Sequence, residues 1–483
     1  MNGLEPYPGY KDSGVPWLGE VPEHWGVEPI GRIGQLFKGN GGSKEDEAPS
    51  GVPCVRYGDL YTTHEFFIRS TKGYVTPQRA ADYTPIRHGD VLFAASGETI
   101  EDIGRSAVNL IETEACCGGD VLLFRPNVEA VARFLGYAAD SSASRHQKAC
   151  MGRGFTVVHA YAAQLKRLVL PLPPLPEQAA IVRFLDHADR RIRRYIRAKQ
   201  KLIKLLEEQK QAIIHHAVTR GLDSNVRPKP SGVEWLGDVP EHWEVVTLRR
   251  VIRRAVDGPH HSPNYVDEGV PFLSARNVKV DRWSLGDAKY ISEADYEEFC
   301  RRVVPEPGDV LYTKGGTTGV ARAVDLRFRF QVWVHVAVLK VVKSKVVPEF
   351  LAVSLNAPRS YEQSQLFTRG ATNQDLGLGR MKDIVLGLPP LPEQAAILAD
   401  LGSATQGIVA AVERARSEIA LLREYRTRLI ADVVTGKLDV REAALLLPDE
   451  AEEPEPLAAA EGDTDLDEVA ADDLDTVSEE AEA

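Results

Sequence analysis

Mostly apolar residues, with a few long cationic ones among them, recur in a four–three rhythm along two widely separated stretches of the chain. The first carries Ile192, Ile196, Lys199, Ile203, Leu206, Lys210, Ile213 and Ala217. The second repeats the spacing 216 residues later as Ile408, Val412, Ala415, Ile419, Leu422, Arg426, Leu429 and Val433. A stripe that returns every ~3.5 residues is what two helices need to pack lengthwise. Pro176 suits a first helical turn, Glu177 suits the positive helix end, and no Gly or Pro follows until Gly221. As one helix, residues 177–220 span roughly 65 Å. One such helix falls in each half, so an antiparallel pair about a pseudo-twofold axis is the expected geometry. A homodimeric coiled coil is the alternative.

Elsewhere the pattern is of short strands. Val91–Ala94, Val121–Arg125, Val310–Thr313 and Val332–Val342 are apolar or β-branched runs bounded by turn residues. Short helices are expected at Ala130–Ser141 and Pro348–Leu355. The fold class expected is mixed α/β.

The chain is written twice. Residues 13–25 read SGVPWLGEVPEHW and residues 231–243 read SGVEWLGDVPEHW, with eleven of thirteen positions alike. LPPLPEQAAI occurs at 172–181 and again at 388–397. Between these frames the two bodies share little beyond Gly89-Asp90-Val91-Leu92 against Gly308-Asp309-Val310-Leu311, and Arg153-Gly154 against Arg369-Gly370. A duplicated frame around two divergent inserts implies one scaffold presenting two different surfaces. Trp17 and Trp25, like Trp235 and Trp243, are expected to anchor the start of each body.

Composition changes this picture little, and charge changes it once. Hydrophobic and charged shares of 43% and 27% are ordinary for a globular protein. The net charge of −12 argues against a nucleic-acid partner until it is located. Residues 449–483 hold 16 acidic residues and no Lys or Arg, which leaves 58 basic against 54 acidic residues elsewhere. That tail has the composition of a disordered, solubilising segment. No apolar run is read as approaching the ~18–20 residues of a membrane span, and the N-terminus lacks the pattern of a signal peptide. Five cysteines without CxxC spacing are expected to be reduced thiols in a cytoplasm.

Catalytic signatures are missing. The Pro-Pro pairs lie only in the LPPLP hinges, flanked by leucine, so no Asn/Asp-Pro-Pro-aromatic motif for adenine methylation is present. No GxxxxGK[ST] phosphate cradle occurs. His215-His216 and His260-His261 are adjacent pairs that poorly chelate one metal. Neither a catalytic residue nor a metal site is expected.

The repeated WLG-x-VPEHW opening, the LPPLPEQ hinge before a long helix and the two divergent bodies resemble the specificity subunits of Type I restriction–modification enzymes. The resemblance covers the chain to about residue 440. It implies target recognition domains at 1–172 and 223–388, long helices at 173–222 and 389–440, and a disordered acidic tail at 441–483. Each recognition domain would read one half of an asymmetric bipartite site on double-stranded DNA. The helices would set the gap and carry two methyltransferase subunits, with restriction subunits outside them. S-adenosylmethionine, ATP and Mg would sit on those partners, none on this chain. A cytoplasmic, bacterial or archaeal, non-catalytic role follows. An enzyme with an unrecognised active site and a pure assembly scaffold are the rival readings.

Candidate DNA contacts fall in polar loops beside short strands. In the first body they are Arg56, Tyr57, Gly97, Glu98, Thr99, Arg153 and Phe155. In the second they are Arg276, Asn277, Lys314, Thr317, Thr318, Arg369, Asn373 and Gln374. Arg suits guanine and Asn or Gln suits adenine through paired hydrogen bonds, while Lys and Thr more often hold phosphate. On that basis Arg276 is expected to choose a base and Lys314 to bind backbone. The basic run Arg190, Arg191, Arg193, Arg194, Arg197, Lys199, Lys201 and Lys204 is either a solvated or partner-binding face or a contact with DNA between half-sites.

Overall fold

The computed structural model describes residues 5–42, 46–154, 157–234, 236–370 and 375–448. Trp235, Phe155, Asn373 and Gln374 lie outside the described residues, as does the acidic tail from Asp449 onward. The described chain forms two compact units. The first runs up to Lys199 and resumes at Ser417; the second runs from Gln200 to Arg416.

In the first unit a five-stranded sheet has the order Gly34–Lys38, Val121–Pro126, Val91–Ala94, Ser106–Asn109, Phe66–Ile68. Only its last pair is parallel. A smaller sheet has the order Glu47–Ala48, Gly73–Val75, Val52–Val55, Ala115–Cys117, Thr84–Ile86. The second unit repeats the plan with four strands per sheet. Its main sheet is Ile252–Asp257, Val336–Val341, Val310–Thr313, Ala321–Ala323, and its smaller one is Tyr265–Val266, Lys289–Ile291, Val270–Leu273, Gln331–Val332. The expected strands at Val91–Ala94 and Val310–Thr313 form as read. The run Val332–Val342 divides into Gln331–Val332 and Val336–Val341, which join different sheets of the unit. Helices stand at Ala132–Ala139 and Pro348–Asn356, close to the expected bounds.

The Asp of each GDVL piece explains why that tetrapeptide recurs. Asp90 accepts the backbone N–H of Arg87 at 2.7 Å and pairs with Arg125 of the neighbouring strand at 2.6 Å. Asp309 accepts the N–H of Glu306 at 2.8 Å and pairs with Lys340 at 2.7 Å. One carboxylate thus closes the turn and ties the strand to its neighbour.

The long helices run Leu175–Arg220 and Leu391–Val434. Each ends at a glycine with positive φ, +74° at Gly221 and +77° at Gly436, the left-handed stop that a side chain resists. Every stripe residue from Ile192 to Ala217 and from Ile408 to Val433 is buried or half-buried. Within the first unit Asp189 meets Arg426 and Lys199 meets Glu418, so the two helices run antiparallel there. Within the second, Glu207 meets Arg416, and Ala217 and Val218 share a core with Ile397 and Leu401, again antiparallel. The helices therefore pair with each other inside one chain.

Three expectations need correction. Trp25 and Trp243 are fully buried anchors, but Trp17 is 37% exposed and leans on His146 at 5.5 Å. Arg441–Leu445 is a short helix with Ala444 in the first unit's core, so described structure continues past the expected start of the tail. Leu391–Val434 is long and apolar enough by length and composition to cross a membrane. Its many alanines raise the mean without making an unbroken apolar run, and its Ile397 and Leu401 belong to a core.

Candidate nucleic-acid interface

Each unit begins by locking its opening motif onto its hinge. The strand Gly26–Pro29 pairs with Val169–Leu172, and Glu244–Thr247 pairs with Val385–Leu388. The hinge carboxylate then gathers the motif's polar ends. Glu177 accepts from the Trp25 indole at 2.9 Å and pairs with His24 at 2.7 Å. Glu393 does the same with Trp243 at 3.0 Å and His242 at 2.7 Å. The His-Trp end of each opening motif and the hinge glutamate therefore form a structural lock.

On this frame three loops of the first unit converge. Ser96–Gly97 pairs antiparallel with Val158–His159, and Arg153 in turn pairs with His159. Ser96 Oγ lies 3.1 Å from His159 Nδ1, and the Tyr61 hydroxyl donates to the Ser96 carbonyl at 3.0 Å. The Arg56–Tyr57 turn leads directly into the Tyr61 segment, with the Arg56 N–H on Asp59 at 2.8 Å. Burial pushes the Tyr61 hydroxyl up to about 12 and raises the Asp59 carboxyl above its ordinary range. Glu98, Thr99, Arg153 and Tyr57 stand exposed on the merged surface. Gly97 is buried, since a Cβ there would lie 2.6 Å from Tyr61 Oη. Arg56 is half-buried and paired with Glu47 at 2.9 Å.

The second unit builds the same junction from other residues. Gly315 and Arg369 both pair with Asp375, and the Leu376 N–H reaches the Lys314 carbonyl at 2.7 Å. Thr317 and Arg369 are exposed there. The Arg276–Asn277 turn is fastened separately, through Ser284 and Asp287.

Several candidates turn inward. Asn277 is 1% exposed; its oxygen accepts from the Ser274 N–H and hydroxyl, and its nitrogen donates to Ser284. With both ends engaged it holds its loop and is not placed to read a base. The Lys314 ammonium is buried between Asp375 at 2.9 Å and Asp257 at 3.4 Å, so the expected phosphate contact is corrected to an internal ion pair. Burial raises the Asp257 carboxyl, but the Arg302 hydrogen bond and the Lys314 charge together hold it below the usual range. Thr318 is buried and accepts from Gln365 at 3.2 Å. Arg276 is half-buried. Phe155, Asn373 and Gln374 lie outside the described residues.

Residues overlooked in the sequence also reach this surface. Tyr161 is 54% exposed, and its ring is tilted against that of His159, 6.2 Å away, the residue that pairs with Arg153. An aromatic next to a basic residue suits base or sugar contact, and the interleaving His159-Ala160-Tyr161 was the available signal. No group of three or more His, Cys, Asp or Glu among the described residues is arranged to hold a metal ion.

Residues 22–205 match the family model of the Type I restriction modification DNA specificity domain. A protein of Methanocaldococcus jannaschii named as the MjaX type I restriction enzyme specificity subunit is 27% identical over 434 residues, covering 88% of this chain and 96% of that one. The EcoKI specificity subunit of Escherichia coli K12 is 21% identical over 395 residues, covering 79% and 82%. A solved chain from work on complex assembly and conformational transition of the type I R-M system superposes with a TM-score of 0.63 at 20% identity, covering 86% of this chain and 99% of that one, and supports the fold. With the opening motif, the hinge and the loop junction each built twice, this chain is similar over most of its length to the specificity subunits of type I restriction–modification systems.

Proposed function

We propose that each unit reads one half of an asymmetric bipartite DNA site, and that the chain is the non-catalytic reader of a multisubunit enzyme. The observation that carries this is the repeated loop junction. The same pairing of a post-GDVL loop with a pre-hinge loop presents Glu98, Thr99, Arg153 and Tyr161 in one unit, and Thr317 and Arg369 in the other. Identical architecture with unlike exposed chemistry is what two different half-sites require. Methyl transfer to adenine, ATP-driven movement and cleavage fall to two methyltransferase subunits and to restriction subunits, which would hold S-adenosylmethionine, ATP and Mg. On this reading the chain works on DNA in the cytoplasm.

The test is to map methylated adenines in cells carrying this chain with its cognate methyltransferase. One motif with two unlike specified halves and a constant unspecified gap is expected. Random methylation, a single undivided motif, or methyl transfer by the purified chain alone would overturn the reading.

A further inference from the structure

The first unit holds a charged cluster that its function as a reader does not by itself require. Glu65 lies between the Arg56–Tyr61 reading segment and the edge strand Phe66–Ile68. Its two carboxylate oxygens receive Arg426 Nη1 at 2.6 Å and Nη2 at 2.8 Å from the second long helix. Arg193 of the first long helix adds a bond at 2.9 Å and also holds Asp189 at 2.8 Å, while Arg426 Nε donates to Asp189. One carboxylate of the body is thus gripped by both helices. Glu65 keeps a side exposed to solvent while Asp189 is more enclosed; Arg426 and Arg193 outweigh the desolvation of both and keep their carboxyls below the ordinary range.

The backbone beside the cluster is an independent sign. Phe66 has φ of +60°, the one positive value among described non-glycine residues. A bulky residue keeps that conformation only where its surroundings dictate it. Phe66 lies 5.1 Å from Tyr137 and 5.6 Å from the Arg426 guanidinium. Tyr137 in turn donates to Asp186 of the first long helix at 2.8 Å. The sequence shows that this is not part of the duplicated frame. The positions 216 residues after Asp186, Asp189 and Arg193 are Gly402, Thr405 and Val409, none able to carry charge.

We propose that Glu65 is a positioning residue: clamped by Arg426 and Arg193, it holds the first body's reading loops in one pose on the long helices and thereby enforces the gap between half-sites. The connection runs through few residues. The His64 N–H bonds the Asp59 carbonyl at 2.9 Å, and Tyr61 of the same turn secures Ser96. A loosened clamp lets these loops shift as a body without altering the side chains that choose bases. This inference rests on the bipartite reading above.

The experiment uses the complete complex with its cognate methyltransferase, on DNA carrying the mapped site with its gap lengthened or shortened by one base pair. Wild type should modify its own gap alone. Glu65→Gln should raise modification of the off-gap sites tenfold or more relative to the cognate site, with both half-site sequences unchanged. Glu65→Asp, which keeps the charge, should restore most of the strictness. If Glu65→Gln fails to fold, Arg426→Lys tests the same clamp, because lysine keeps the charge but loses the fork. Wild-type gap strictness in an active Glu65→Gln or Arg426→Lys complex overturns the proposal, as does a changed base preference in the first half-site. A wild-type complex with no bipartite site at all overturns the recognition reading and this proposal with it.

Discussion

The indole N–H of Trp25 bonds the Glu177 carboxylate at 2.9 Å across 152 residues of chain. Trp243 repeats the bond to Glu393 at 3.0 Å. The opening motif and the hinge, each present twice, are therefore two parts of one lock. Glu177 also takes the Tyr7 hydroxyl at 3.3 Å. Replacing it with leucine leaves buried donors without acceptors, at about 1–3 kcal/mol for each. Glu177→Leu should lower the stability of the first unit by about 2–4 kcal/mol, read as a shifted denaturant midpoint. Glu393→Leu should do the same to the second unit. Two independent transitions are expected, and an unmoved midpoint in either variant counts against the lock.

Lys148 and Asp140 form a fully buried ion pair at 2.9 Å in the first unit, with Ser106 and the Ala139 carbonyl completing the lysine's partners. The corresponding positions 216 residues on are Ser364 and Asn356, where Asn356 instead bonds both backbone groups of Ala321. Arg145 also holds Asp140, at 2.7 Å, so removing the lysine leaves that carboxylate one cation and costs less than the ~3–5 kcal/mol of a stranded buried charge. Lys148→Met should therefore unfold the first unit early. The double change Asp140→Asn with Lys148→Ser, which copies the second unit, should recover part of that loss. A double variant no better than the single one would show that the two sites are not interchangeable.

Much of this fold was legible because it rests on spacing. The helix stripes follow from a repeat of about 3.5 residues, and the GDVL strands from a short apolar run after a turn. The two hinge glutamines give no sign in the sequence of what they bond. Gln178 accepts the Val131 N–H at 2.8 Å and donates to Pro173, and Gln394 mirrors it with Val347 and Pro389. Asn277 and Lys314 were misread for a physical reason: a polar residue in a Gly-rich loop looks available until its partners are known. Asp257 precedes Lys314 by 57 residues and Asp375 follows it by 61, and no local pattern joins them. The Glu65 clamp was invisible for the same reason, its partners lying 128 and 361 residues away.

Arg369 and Lys314 sit in the same junction of the second unit, one exposed and one buried. Their alanine variants should separate cleanly. Arg369→Ala should leave the melting temperature within about a degree and relax one base of the second half-site by about 1–3 kcal/mol. Lys314→Ala leaves Asp257 to Arg302 and takes the ammonium from Asp375, and should destabilise the second unit by about 1–3 kcal/mol without changing the salt dependence of DNA binding. A shallower salt slope in Lys314→Ala would return that lysine to the phosphate backbone.

His64 offers a pH test of the first body. Burial, helped by the nearby Lys72 charge, pushes its imidazole down to about 4, and its Nε2 is buried with no hydrogen-bond partner among the described residues. The unfolded chain takes up a proton near pH 6.5, while the folded one resists until about pH 4. Between those values the unfolded state binds more protons, so the stability of the first unit rises with pH across that window and is fully present above it. The contribution is at most about 3 kcal/mol at ~1.4 kcal/mol per pKa unit, and less because the ring is not wholly excluded from water. His64→Gln removes the titration. Its denaturant midpoint should vary less between pH 4 and 6.5 than that of wild type, and equal slopes would show that another group carries the dependence.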